Sequence, residues 1–148
     1  MPVLLGHSSA QKTADYILRF ERNHPDLEIG VLVPTKRVQS RLWHLLDGKT
    51  RNPIERYVGG KGAKSEPLRF GRPGIKVICY ASAKGLEFDA VFLPELQDCM
   101  QDMARPEARM MFYVLISRAR DQLFFCYSGK DAPKIVEAFP KELLDWRP

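Results

Sequence analysis

The chain of 148 residues is short of several things, and each shortage excludes something. Long apolar runs are missing. The most continuous stretches, such as Val31-Leu32-Val33, are far too short to cross a bilayer. The amino terminus, MPVLLGHSS, lacks the basic start and extended apolar core of a secretion signal. The expected location is therefore the cytoplasm. Cysteine is scarce: Cys79, Cys99 and Cys126 are odd in number and show no CxxC spacing. Buried free thiols in a reducing compartment are the expectation, not a disulfide framework. The histidines His7, His24 and His44 share no metal-ligand spacing with one another or with the cysteines, so no metal site is expected. A phosphate-binding loop of the form GxxxxGKS or GxxxxGKT is also missing. Gly59-Gly60-Lys61-Gly62 has neither that spacing nor a helix signal behind it and reads as a turn.

What remains is the composition of an ordinary folded domain. Hydrophobic residues make up 45% and charged residues 28%, and the length suits one domain able to bury roughly 70% of its unfolded surface. The net charge of +5 favours a polyanionic partner without specifying one.

Short apolar runs alternate with helical patterns. Glu28–Pro34, Ile75–Tyr80, Ala90–Pro94 and Gln122–Tyr127 are predominantly apolar, as suits strands buried on both faces. Val3–Leu5 and Ile54–Val58 are candidates for two more strands. Between them, Gln11–Arg22 places Ala14, Ile17, Leu18 and Glu21 at helical spacing behind a capping Ser8 or Ser9. Val38–Leu46 carries a stripe of Val38, Leu42, Leu45 and Leu46. The spacing predicts a third helix over Pro106–Arg120 and a closing one over Pro133–Leu144, broken near Pro140. Strand–helix alternation predicts an α/β fold with a mostly parallel sheet. Gly48–Gly74, rich in glycine and basic residues, reads as a long irregular insertion within one domain spanning 1–148.

Two stretches carry candidate chemistry. Tyr80–Leu96 joins two strands, and ligands of parallel sheets gather at strand carboxyl ends. Ser82, Lys84, Gly85 and Glu87 thus fall where a ligand could be reached. Gly85 permits a turn or a close approach. Glu87 can accept from a sugar hydroxyl, and Lys84 can meet a phosphate. The plainer alternative is a connecting loop with solvated charges. In Pro106–Gly129, helical spacing puts Ala108, Met111, Phe112, Leu115 and Ala119 on one face, with Arg118 at its edge and Arg109 and Arg120 on the far flank. A guanidinium near packed surface needs a partner, either a carboxylate or a ligand phosphate.

These stretches bear a resemblance. SAKGLEFD followed by VFLP is similar to motif V of UvrD/Rep-like superfamily 1 DNA helicases. FYVLISRARDQL resembles their motif VI, Y-V-x-I/V-T-R-A followed by a strand. IGVLVPTKRVQSRLWHLL resembles the element around motif IVa. The three occur in order across residues 8–128. The resemblance implies a RecA-like three-layer domain, the second of two motor domains, without its own phosphate loop. It implies ATP and Mg²⁺ bound mainly by a first RecA-like domain outside this chain, and single-stranded DNA as partner. It assigns Arg118 as the catalytic arginine that reaches the γ-phosphate. Glu87, with Gly85 and Lys84, falls in the nucleotide-contacting turn, and Thr35, Lys36 and Ser82 fall near the DNA path. The chain departs from the pattern at Ala81, usually histidine, at Cys79, usually threonine, and at Ser117, which keeps the hydroxyl of the usual threonine. It also lacks a recognisable Q-x-x-R-S motif. The alternative is a standalone nucleic-acid- or protein-binding module derived from such a domain.

Overall fold

The computed structural model describes residues 2–57, 71–99 and 103–147. Those residues form one seven-stranded sheet flanked by helices. Its strands are β1 (Val3–His7), β2 (Glu28–Val33), β3 (Glu55–Tyr57), β4 (Gly74–Cys79), β5 (Phe88–Leu93), β6 (Ala119–Ser128) and β7 (Asp145–Arg147). Their order is β3-β4-β2-β5-β6-β1-β7 and every pairing is parallel. The helices are α1 (Ala10–Asn23), α2 (Lys36–Leu46) and α3 (Pro106–Ile116). The α/β reading with a mostly parallel sheet holds.

Strand alternation builds two cores, one on each face. Ile29, Val31 and Val33 of β2 and Ile75 and Val77 of β4 pack with Ala14, Ile17, Leu18 of α1 and Val38, Leu42, Leu46 of α2. Leu32, Ile78, Val91, Leu93, Leu123 and Phe125 face the other way, toward Tyr80 and Ala83 of the β4–β5 connection and Phe112 and Leu115 of α3. The register shifts between Phe88 and Ala90, and this irregularity sends Phe88 to the same face as Val91 and Leu93. Each large side chain removed from water in these layers contributes roughly 1.5–3 kcal/mol.

The helix starts follow local capping chemistry. Ser9 Oγ accepts from the Lys12 amide at 3.3 Å and Thr35 Oγ1 from the Val38 amide at 3.1 Å, so each helix opens on a satisfied donor. Glu21, which sits oddly in the apolar stripe of α1, is buried for a reason. Its two carboxylate oxygens accept from the backbone amides of Arg51 and Asn52 at 2.8 and 2.9 Å. It pins the start of the 48–74 segment to the helix. The middle of that segment, including Val58 and Gly59–Gly62, lies outside the described residues.

Three expectations are corrected. The helix predicted over Pro106–Arg120 ends at Ile116. Ala119 and Arg120 join β6, because Ala119 pairs with Phe88 and the Phe88 amide donates to the Arg118 carbonyl at 2.8 Å. Sheet pairing outweighs the helical spacing there. The closing helix is instead two 3₁₀ turns, Lys134–Ala138 and Lys141–Leu143, separated at Pro140, which has no amide to donate. Beyond them β7, which no apolar run announces, pairs with β1. Among the described residues no helix is long and apolar enough to cross a membrane. The cysteines are free; Cys126 is buried, whereas Cys79 and Cys99 are only half-buried.

Candidate functional site

Because all strands run the same way, the sheet has one amino edge and one carboxyl edge. A six-residue strand separates them by about 20 Å. The candidate residues divide between the two, which corrects the expectation that Ser82, Lys84, Gly85 and Glu87 share the carboxyl ends. Ser82 lies three residues past the end of β4. Glu87 immediately precedes β5 and so stands at the amino edge. Residues 80–87 cross from one edge to the other. Midway, the Leu86 amide donates to the Ala83 carbonyl at 3.1 Å, closing a tight turn over Lys84 and Gly85. Gly85 has φ +82° and nothing near where a Cβ would stand. It stands at the position where a type II turn needs positive φ. Lys84 is exposed beside it.

At the amino edge two arginines, Arg118 and Arg120, meet opposite fates. Arg118 occupies the turn between α3 and β6. Its Nε donates to the Val114 carbonyl at 3.1 Å and one terminal nitrogen to Ser117 Oγ at 3.2 Å. Ser117 Oγ in turn donates to the same Val114 carbonyl at 2.7 Å, which shows why the motif's threonine can be serine here. These acceptors hold the guanidinium at the carboxyl end of α3, where the helix dipole favours a cation. Among the described residues no carboxylate comes within ion-pair distance of it. Arg120, by contrast, reaches three: Asp89 at 3.3 Å, Glu28 at 3.5 Å and Glu87 at 3.7 Å. Glu28 is buried and also receives the buried Lys76 ammonium at 2.9 Å and the Gly71 amide at 2.8 Å. Asp89 Oδ2 accepts the Glu28 amide at 2.8 Å. Arg120, which sequence reading set on the far flank of a helix, is therefore the hub of a charge network. Its signal was the acidic pair flanking the first residue of β5, Glu87 and Asp89, beside a basic residue on the next strand.

At the carboxyl edge Thr35, Lys36 and Ser82 come together. Val33 pairs with Cys79, so the chain past β2 and the chain past β4 leave the sheet side by side. The charge of Lys36 acts on the Cys79 thiol, whose pKa burial nonetheless raises. Thr35 and Lys36 are exposed and Ser82 is half-buried. The Thr35 oxygen already accepts from Val38, leaving its O–H free to donate. A notch of about 250 Å³ opens here between Thr35, Arg37, Val38, Arg41 and Asp98. Arg37 and Arg41, one helical turn apart, were not singled out from the sequence. Arg41 pairs with Asp98 at 3.5 Å. Gln39, in the same helix, is structural: its amide donates to the carbonyls of Tyr57 and Val77 at 2.7 and 2.9 Å and ties the edge strand β3 to β4.

Gly6–Thr13, GHSSAQKT, departs from the phosphate-loop pattern only at Gln11, and it does link a strand to a helix. The turn is closed on itself. Ser9 caps Lys12, Thr13 Oγ1 is buried against His7 Nδ1 at 2.9 Å, and the Gln11 amide donates to Asp15 at 2.9 Å. Among the described residues no three metal-ligating side chains stand together.

Comparisons place this geometry. Residues 61–130 match the UvrD-like helicase C-terminal domain family. No curated protein matches the chain. Among solved structures, the C-terminal domain of a possible DNA helicase from Lactobacillus plantarum WCFS1 is similar with TM-score 0.71 and 18% identity, covering 98% of this chain and 84% of that one. The helicase domain of Hef from Pyrococcus furiosus gives TM-score 0.61 at 12% identity, over 99% of this chain and 35% of that one. The nsp10 helicase of PRRSV gives 0.59 at 13%, over 98% of this chain and 30% of that one. The chain thus spans about a third of these two larger helicase chains, and its fold is that of their RecA-like domains. The family match is confined to residues 61–130, just under half of the chain.

Proposed function

We propose that this chain is the second motor domain of an ATP-driven DNA translocase or helicase. In this reading Arg118 stabilises charge on the γ-phosphate of an ATP held chiefly by another RecA-like domain. That other domain supplies the phosphate loop and the Mg²⁺ site, and Mg²⁺ there neutralises the charge of the phosphates. Glu87 accepts from the ribose. Thr35, Lys36 and Ser82 meet the phosphates of a single DNA strand at the opposite edge, 80–87 being the segment that touches both ligands. The observation that carries the reading is the contrast at the amino edge. Arg118 is held rigidly by neutral acceptors with its charge uncompensated, beside an arginine that has three carboxylates. A half-buried guanidinium without a carboxylate is suited to an incoming anion, and its planar fork fits a phosphate.

Chemically, the proton inventory needs nothing further from this chain. Arg118 stays charged throughout and offers N–H donors to oxygens that gain charge in the transition state, a contribution worth about 10³–10⁵ in rate. The chain alone offers one side of a site and is expected to turn over no ATP. The test is DNA-stimulated ATP hydrolysis by the full-length natural polypeptide, wild type against Arg118→Ala. A fall of about a thousandfold with the fold intact supports the reading. An unchanged rate overturns it, as does ATP turnover by the isolated chain that depends on Arg118.

A further inference from the structure

The unpaired state of Arg118 needs its own explanation, because a carboxylate stands opposite it. Phe88 pairs with Ala119. Glu87 and Arg118, one residue before each, therefore face one another where β5 and β6 begin, with strand backbones about 4.8 Å apart. Opposite charges on neighbouring strands ordinarily pair. Here the Glu87 carboxylate turns to Arg120 instead, at 3.7 Å. Arg120 is held in place by Asp89 and by the buried Glu28, itself fixed by Lys76.

We propose that Arg120 is a positioning residue that draws Glu87 away from Arg118 and so keeps the catalytic guanidinium open to phosphate. Asp89 and Glu28 anchor Arg120, and Arg120 claims Glu87. The inference rests on the motor-domain reading and adds a residue to it. Without Arg120, Glu87 loses its cation and is free to turn to Arg118 across the strand pair. Each turnover then begins by breaking an exposed ion pair. That costs roughly a fivefold loss in kcat, the upper range for such pairs.

The arrangement has a genetic signature that a merely structural role for Arg120 lacks. In the full-length natural polypeptide, DNA-stimulated ATP hydrolysis is measured for wild type, Arg120→Ala, Glu87→Ala and the double variant, with thermal unfolding of each. The expected result is a kcat for Arg120→Ala roughly fivefold below wild type, relieved to the Glu87→Ala level when Glu87 is removed as well. Arg120→Lys, which keeps a cation for Glu87, is expected to stay near wild type. A loss in Arg120→Ala that removing Glu87 does not relieve overturns the inference, and so does a folded Arg120→Ala at the wild-type rate. Should Arg120→Ala fail to fold, Arg120→Gln, of similar reach, carries the same comparison. Failure of the motor-domain reading looks different: Arg118→Ala would then leave turnover unchanged whatever occupies position 120.

Discussion

The backbone amide of Phe88 donates to the carbonyl of Arg118 at 2.8 Å. The first residue of β5 is thereby fastened to the turn that presents the unpaired arginine. The ring of Phe88 in its turn lies over Gly30 of β2, where an added Cβ would stand 2.5 Å from the ring. A glycine in the sheet centre, a phenylalanine and a catalytic candidate form one chain of contacts.

Gly30→Ala is accordingly expected to destabilise the domain by about 1–3 kcal/mol, the usual cost of overpacking a filled core. Chemical denaturation measures it. Gly30→Ala with Phe88→Leu is expected to recover part of the loss. Equal instability in the single and double variants would mean the ring is not what Gly30 accommodates.

Arg118→Lys is expected to behave almost like Arg118→Ala, down about a hundredfold or more in ATP turnover despite the retained charge. The side chain must donate to Val114 and Ser117 while still facing an anion, and an ammonium lacks the planar fork for that. Near-normal kinetics in Arg118→Lys would reduce the role to a point charge.

Glu21→Ala strips the partners from the amides of Arg51 and Asn52 and is expected to cost about 1–3 kcal/mol. Hydrogen exchange at those two amides is expected to accelerate, while amides in β5 and β6 change little. Uniform acceleration across the sheet would argue for a general core role for Glu21.

Glu95 is wholly buried and adopts left-handed backbone with φ 57°. Its carboxylate is held by Gln97 and by Ser128. Burial raises its pKa above the ordinary 4.5, with Asp98 adding to the rise and Ser128 and Arg41 opposing it. A carboxylate raised in the fold prefers its proton there. Its contribution to stability is therefore most unfavourable near neutrality and improves as pH falls through the raised value toward the ordinary one. Glu95→Gln is expected to gain stability relative to wild type at pH 7, with the difference shrinking toward pH 4.5. Thermal unfolding across that range decides it, and a pH-independent difference would rule out titration of Glu95 as the cause.

Gln11→Gly completes the written phosphate-loop pattern at Gly6–Thr13. It is expected to confer no ATP binding on the chain, because Ser9 and His7 already occupy the groups that would turn to phosphate. Calorimetric titration with ATP gives the answer, and saturable binding would show that the turn opens readily.

The legible part of this molecule is the part governed by burial. Runs such as Ile29–Val33 are apolar because both faces of the sheet are covered, and that condition writes itself into consecutive residues. The α1 stripe, with Ser9 as cap, was equally open to reading. The helix end at Ile116 was not, since what stops it is a partner strand distant in sequence, Phe88 with Ala119. The three-residue β7 lies at the sheet edge and is partly exposed, so hydrophobic patterning has little to say about it. The candidate residues could be named from motif order, yet their division between two edges follows only from strand direction. Arg120 was placed on the wrong flank for the same reason that the helix was drawn too long.

Arg118 sits between the last turn of α3 and the first pairing of β6, bonded by side chain to one and by backbone to the other. It has no hinge of its own. A residue so mounted cannot swing in and out to time a reaction; it can only be carried. The clock of any catalytic cycle it serves must then be the travel of the whole domain, with the arginine arriving as a fixed tooth of a larger gear.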